Sequence, residues 1–261
     1  GDAYELSEYN KYISTKYPHV KSENSWFGEE SPVPCEDSQP HYLAGKVCSY
    51  IEEYAKGGEP WHIRLDLTVP HLPCRPSKPF SDMYTPADAV QWDGFGDSFE
   101  NKPYIQKQQV LNWRLEDKPW NDWAEIVSRY YAVITQIDDA VGGILHTLDK
   151  TGASRDTVVV YTSDHGDLCG SHGMIDKHYI LYDDVLRVPL IIRWPGNAKP
   201  LRIHEFVSNC LDLPATVGDI AGIDIDGGHG KSLVPLIKGQ EQHRPAYSVS
   251  SSNGQQFGLF T

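Results

Sequence analysis

Trp123, Ile126, Val127, Tyr130, Val133, Ile134, Ile137, Val141, Ile144, Leu145 and Leu148 recur at helical spacing, so the chain from about Asp122 to Lys150 reads as one long helix with a single apolar stripe. Such a stripe must be buried against another element. Asp122 with Glu125 has the form of a capping box, with Asp in the Ser/Thr position. Gly152 suits the position just past the helix end. Next comes Thr157-Val158-Val159-Val160-Tyr161-Thr162, a β-branched run that reads as a strand buried on both faces, as in a parallel sheet. Val188 to Trp194 is a second such strand, closed by Pro195-Gly196. A further helix runs from about Leu211 to Ala221, with Pro214 expected in its first turn and Gly222 behind it. Helices alternating with buried strands predict an α/β fold with a largely parallel central sheet and helices on both faces.

The upstream part is less regular. Residues 1–40 are polar, with Pro and Ser around Ser31-Pro32-Val33-Pro34, and are expected to form an irregular surface segment. Leu43, Ala44, Val47, Cys48, Ile51 and Tyr54 then mark a helix that Gly57-Gly58 ends. Trp61 to Leu67 reads as a strand. Pro and Gly interrupt the chain from there to about Lys118, and loops of that length are usually functional. The organisation expected is an α/β domain over 41–240, followed by the start of a C-terminal strand region over 241–261.

Composition excludes several classes. At 261 residues the chain can build one large domain, or one and a small second. Its net charge of -13, with scattered Lys and Arg, argues against nucleic acid as a partner. No apolar run approaches the roughly 20 residues of a membrane helix. Gly1-Asp2-Ala3-Tyr4-Glu5 lacks the basic and apolar regions of a secretory signal, and the compartment stays open between cytoplasm and periplasm. Cys35, Cys48, Cys74, Cys169 and Cys210 are odd in number and form no C-x-x-C pair, so free thiols are expected rather than a disulfide framework or zinc site.

In open α/β sheets, ligands bind at the carboxyl ends of the strands. The run Thr157–Thr162 ends directly in Ser163-Asp164-His165-Gly166-Asp167. Asp and His are both metal ligands, and Gly166 lets the backbone turn. Gly170 and Gly173 flank Ser171-His172, and Lys177 follows as a mobile point charge suited to a tetrahedral anion. An acidic protein that binds a small anion must concentrate positive charge locally, which a metal ion with one or two Lys or His would do. A surface turn with chance polar residues is the competing reading of the Asp-His pair taken alone.

The wider string, Val159 to Lys177, resembles the C-terminal signature of the sulfatase family, within the alkaline phosphatase superfamily. Arg187 to Gly196, Tyr130 to Gly142, Val69-Pro70-His71-Leu72-Pro73, Leu211 to Thr216 and Gly230 to Leu236 resemble further segments of that family, in consistent order over roughly residues 40 to 261. The resemblance implies that Asp164 and His165 are ligands of a divalent cation, calcium first and manganese or magnesium next. It implies that Lys177 and His71 are catalytic and contact the sulfate, His71 also helping the leaving oxygen. The metal would lower the nucleophile's pKa and neutralise oxygen charge. The family's nucleophile is a formylglycine made in a Cys-x-Pro-x-Arg motif, which lies with a further acidic pair of ligands in the family's N-terminal half. Neither feature is found in this chain. The expectation is therefore an incomplete sulfatase-like domain, inactive alone, that serves a small sulfated substrate and self-associates through an uncovered sheet edge. Two rivals stay open. One is a phosphonate monoester or phosphodiester hydrolase of the same superfamily, because an imidazole ligand suits manganese better than calcium. The other is a non-catalytic anion-binding or structural module.

Some residues imitate chemistry. Cys74-Arg75-Pro76-Ser77-Lys78 copies the formylglycine motif with Lys in place of Arg, but in an irregular stretch. Asp138-Asp139 is expected mid-helix and Asp183-Asp184 in a loop or cap, so neither makes a good metal site. Gly227 to Ser232 ends like a phosphate loop, yet Ile225 stands at the first glycine position and a solvated turn is the better reading. His172 is read as a structural residue or one that orients a ligand.

Overall fold

The computed structural model describes residues 7–20, 26–178, 180–225 and 228–240, and the backbone of two short strands near the C-terminus. The chain forms two compact units. The first comprises Gly1–Ser98, Val110–Ser154 and Cys169–Asp176, and the second Phe99–Gln109, Arg155–Leu168 and Lys177–Thr261.

The first unit is built on helices α2 (Gln39–Tyr54) and α4 (Trp120–Thr151); α1 and α3 are described below. They pack against each other, and Val47 and Ile51 of α2 and Trp123, Val127, Val133 and Ile137 of α4 are all buried. Full burial of such side chains contributes about 1.5–3 kcal/mol each. The pair is also joined by His41 Nε2 to Asp139 at 2.9 Å and Lys150 Nζ to Glu52 at 3.2 Å. The second is exposed and adds little. The α4 stripe is as expected, but its start is not. The helix begins at Trp120 behind Pro119, with no side-chain cap, so Asp122 and Glu125 form no capping box. Asp122 instead pairs with Lys118 at 3.6 Å. Gly152 ends the helix in the left-handed conformation at φ 77°.

Residues 1–40 are not wholly irregular. Helix α1 (Glu8–Lys16) starts at Ser7, whose hydroxyl accepts from the Asn10 amide at 3.1 Å. It buries no residue of its own. What holds it is the buried carboxylate of Asp37, which accepts from the hydroxyls of Tyr12 and Tyr17 at 2.5 Å each and pairs with Lys16 at 2.6 Å. Tyr9 donates to the Asp37 carbonyl at 3.1 Å, and the rings of Tyr9 and Tyr12 lie on Tyr42. The Lys16 ammonium, then the two phenols, hold the Asp37 carboxyl at about 2.

The stretch 61–67 takes no regular secondary structure, with Trp61, Ile63, Leu65 and Leu67 half-buried and His62, Arg64 and Asp66 exposed. It has the alternation of a strand, but no ladder partner among the described residues makes it one. The excursion that follows contains a helix the periodicity does not show, α3 (Tyr104–Trp113), whose apolar residues form no stripe.

In the second unit, β1 (Val159–Thr162) pairs with β2 (Leu190–Arg193), Val159 opposite Arg193 and Thr162 opposite Leu190. The pairing is antiparallel, and the expected parallel sheet is not found among the described residues. A β-branched run encodes burial rather than direction. A parallel return needs a long crossover, usually helical; here the intervening chain holds only the short helix α5 (Asp183–Leu186). Nor are the strands buried on both faces. Val160 and Tyr161 are exposed, and Ile191 is 62% exposed. The other face of β2 is covered: Leu190, Ile192 and Trp194 pack on Leu233, Leu236 and Ile237, the last two from α7 (Val234–Ile237), which follows α6 (Asn209–Ala221). Because α6 starts at Asn209, Pro214 lies inside it rather than in its first turn. Asp212 of α6 is fully buried and accepts from the amides of Ser208 at 2.7 Å and Lys231 at 2.8 Å, stitching the segment before α7 to α6. Two further strands, β3 (Ser248–Ser250) and β4 (Phe257–Leu259), form an antiparallel pair. No helix among the described residues is long and apolar enough to cross a membrane.

Asp37→Ala is expected to release α1 and speed proteolytic cleavage within residues 7–20, with α2 and α4 intact. The pH dependence has a definite sign. A carboxyl held below its unfolded value of 3.8 contributes full stability above about pH 4, which is lost as pH falls through about 2. Proteolysis at pH 7 and circular dichroism down to pH 2 check both.

Candidate metal and anion site

The loop Ser163–Asp167 leaves the carboxyl end of β1 and is held from several sides. Thr162 Oγ1 donates to the Pro189 carbonyl at 2.9 Å, and Ser163 Oγ to the His165 carbonyl at 2.7 Å. The Asn209 amide, at the start of α6, donates to the Ser163 carbonyl. The Gly166 amide donates to the Val185 carbonyl in α5 at 2.8 Å. A Cβ at Gly166 would stand 1.9 Å from the Asp184 carbonyl oxygen, so only glycine lets the loop approach α5 this closely.

The loop presents Asp164 and His165 as neighbours. Asp164 Oδ1 accepts from the His165 amide at 3.1 Å, and its Oδ2 lies 3.7 Å from His165 Nε2. His165 Nδ1 is 2.8 Å from the Gly166 carbonyl oxygen. A carbonyl only accepts, so Nδ1 carries the proton and, in the neutral ring, the lone pair lies on Nε2. A backbone carbonyl, like a carboxylate or a water, on one ring nitrogen orients a metal-binding histidine. Ligand bonds of roughly 2.0–2.4 Å could span the gap between Oδ2 and Nε2. The pair therefore fits one side of a cation's shell, with the mostly solvent-exposed Asp164 carboxylate as the anionic ligand. Among the described residues, no group of three or more His, Cys, Asp or Glu could hold a metal ion.

Lys177 is half-buried and belongs to the second unit with Asp164 and His165, whereas His71 belongs to the first. His71 closes a turn, its amide donating to the Thr68 carbonyl at 3.1 Å. Its Nδ1 lies 2.9 Å from the Leu72 carbonyl oxygen, which fixes the same tautomer as in His165.

The imitators are accounted for by their partners. Cys74 is fully buried, its Sγ 3.6 Å from the Pro70 carbonyl, and its backbone is crowded by Gly28. Asp139 pairs with His41, and Asp183 with Arg187 at 3.5 Å on the surface. The phosphate-loop-like segment offers the Lys231 amide to the Asp212 carboxylate, which already fills the place of an anion. His172 Nδ1 lies 2.9 Å from Asp97 Oδ2. Sequence reading missed Asn209, Asp97 and the part played by the Asp184 backbone, because each acts on the loop or on the stretch beyond it from a distant part of the chain. The only local hint was the small residue at 166.

A family model described as Sulfatase matches residues 5–223. The chain belongs to the sulfatase family. Relatives named as sulfatases are sulfuric ester hydrolases. The chain is 30% identical over 217 residues to a choline-sulfatase of Rhizobium meliloti, a match covering 80% of this chain and 42% of that protein. It is 28% identical over 239 residues to an ulvan-active sulfatase of Formosa agariphila, covering 88% of this chain and 40% of that one. It thus spans about two-fifths of the length of these relatives. In fold it is similar to a phosphonate monoester hydrolase from Silicibacter pomeroyi, with a TM-score of 0.79 at 23% identity over 94% of this chain and 53% of that chain.

Gly166→Ala is expected to destabilise the second unit by about 1–3 kcal/mol, the usual cost of overpacking, because the loop must move off α5. Thermal unfolding checks the loss, and an unchanged midpoint would show that the loop shifts without cost.

Proposed function

We propose that this chain is the part of a sulfate ester hydrolase that carries two metal ligands and two sulfate-contacting residues. In this reading Asp164 Oδ2 and His165 Nε2 hold a divalent cation, calcium first, with manganese or magnesium as alternatives. Lys177 and His71 contact the sulfate. The observation that carries the reading is the Asp164–His165 pair itself: a carboxylate and a tautomer-locked imidazole 3.7 Å apart, on a loop at the carboxyl end of β1, in a chain of the sulfatase family.

The roles follow from the side chains. Lys177 supplies a compact positive charge to a tetrahedral anion. The His71 tautomer set by the Leu72 carbonyl leaves Nε2 for contact with an ester oxygen, and a protonated ring could donate there as the leaving oxygen gains charge. Asp164 contributes negative charge toward a cation. When bound, the cation would stabilise oxygen charge and activate a nucleophile. Two protein ligands fall short of the six to eight oxygens that calcium takes, so the remaining ligands and the nucleophile are proposed to come from sequence beyond this chain.

One observation favours a second reading. His165 supplies nitrogen where calcium prefers oxygen, which suits manganese and keeps a phosphonate monoester or phosphodiester hydrolase in play. Sulfate and phosphonate monoesters both present a singly charged tetrahedral centre, so Lys177 does not separate them.

The test uses the chain as it stands. No turnover of chromogenic sulfate, phosphate or phosphonate esters is expected with calcium or manganese. Calorimetry should show weak manganese or calcium binding that Asp164→Ala abolishes. Clear turnover lost in Cys74→Ala, or metal binding indifferent to Asp164, would overturn the assignment.

A further inference from the structure

Seven non-glycine residues with positive φ occur among the described residues, and three of them fall within Cys169–Asp176: Cys169 at 39°, His172 at 54° and Asp176 at 64°. Gly170 and Gly173 share the left-handed region at 92° and 66°. Such a concentration persists only where surrounding contacts over-determine it, and it points to a functional constraint. The contacts are there. Gly170 packs on the ring of the fully buried Trp123, where a Cβ would meet it at 3.1 Å. The Gly170 amide donates to the Met174 carbonyl at 2.8 Å, and Met174 and Ile175 are completely buried. From the long excursion, Trp92 Nε1 donates to the Cys169 carbonyl at 2.9 Å. Asp97 Oδ2 then meets His172 Nδ1 at 2.9 Å, with both side chains mostly buried. Gly94 lies under the imidazole, where a Cβ would stand 3.0 Å from the ring.

This strained stretch belongs to the first unit, while both its flanks belong to the second. His165 and Asp164 stand four and five residues before it, and Lys177 directly after it. Cys169–Asp176 is thus the covalent link between the segment that carries His165 and the one that carries Lys177.

We propose that Asp97 and His172 are positioning residues: the Asp97 carboxylate, by accepting the His172 Nδ1–H, locks the strained stretch that spans the metal-ligand loop and Lys177. The inference rests on the proposed role of those flanking residues. It gives the excursion between Pro86 and Lys102 a task, which is to deliver Trp92, Gly94 and Asp97 to one side of this stretch. Neither residue touches substrate in this assignment. Both act through the backbone they hold.

Amide hydrogen exchange and the His165 Cε1–H resonance test it in the whole chain. Asp97→Ala is expected to speed exchange about tenfold at residues 164–168 and 177–178, as local opening becomes easier, and to shift the His165 resonance. Asp97→Asn, whose amide oxygen can accept the same Nδ1–H, is expected to restore both. If faster exchange stays within residues 94–97 and 169–176, with the His165 resonance unmoved, the pair is local packing and the proposal fails. Should Asp97→Ala unfold throughout, Gly94→Ala gives the same comparison with the carboxylate intact, because its Cβ presses on the His172 ring. Flanks and resonance that stay as in the wild type in Gly94→Ala would then overturn the proposal. A manganese titration separates this from the reading it rests on: resonances of Asp164 and His165 that ignore manganese sink the metal assignment, whatever the exchange data show.

Discussion

Gly166 approaches the Asp184 carbonyl so closely that no side chain fits between them, and the loop Ser163–Asp167 depends on that contact. It lets the Gly166 amide reach the Val185 carbonyl, which ties the loop to α5. The Gly166 carbonyl in turn receives the His165 Nδ1–H. One missing Cβ therefore decides how closely the loop approaches α5. The Asn209 amide on the Ser163 carbonyl fixes the other end of the same loop. Packing supplies the geometry here, and electrostatics enters only once two donors stand side by side.

The two histidines singled out from sequence share a device. Each gives its Nδ1–H to a backbone carbonyl one residue onward, Gly166 for His165 and Leu72 for His71. A local carbonyl on Nδ1 fixes the tautomer and leaves the lone pair of the neutral ring on Nε2. His172 differs, since its Nδ1 partner is the carboxylate of Asp97, far away in sequence. That difference separates residues whose chemistry is local from one that ties distant segments together.

The parts legible in the sequence are those governed by local pattern. The stripes of α2 and α4, the helix that became α6 and the left-handed glycines at 152 and 222 need only neighbouring residues to be recognised. The order of motifs from His71 to Leu236 likewise identified the family. Illegible were features set by distant partners. Helix α1 has no buried stripe because one carboxylate, Asp37, holds it from outside. Strand direction escaped because Val159–Thr162 and Leu190–Arg193 advertise burial, and burial carries no sign of parallel or antiparallel pairing. Even the burial was overstated: Tyr161 and Ile191 are exposed in a chain that spans about two-fifths of its curated relatives' length. The site was half legible. Asp164 and His165 emerge together from one loop, while Asn209, Asp184 and Asp97 act through contacts that no spacing rule contains.

The central claim is that Asp164 and His165 together hold a divalent cation. Anomalous diffraction from crystals of this chain soaked in manganese tests it at the atoms themselves. The account predicts a manganese peak within roughly 2.0–2.4 Å of both Asp164 Oδ2 and His165 Nε2, with His165 Nδ1 still on the Gly166 carbonyl. A peak bound elsewhere, with His165 turned so that Nε2 rather than Nδ1 meets the backbone, would contradict it.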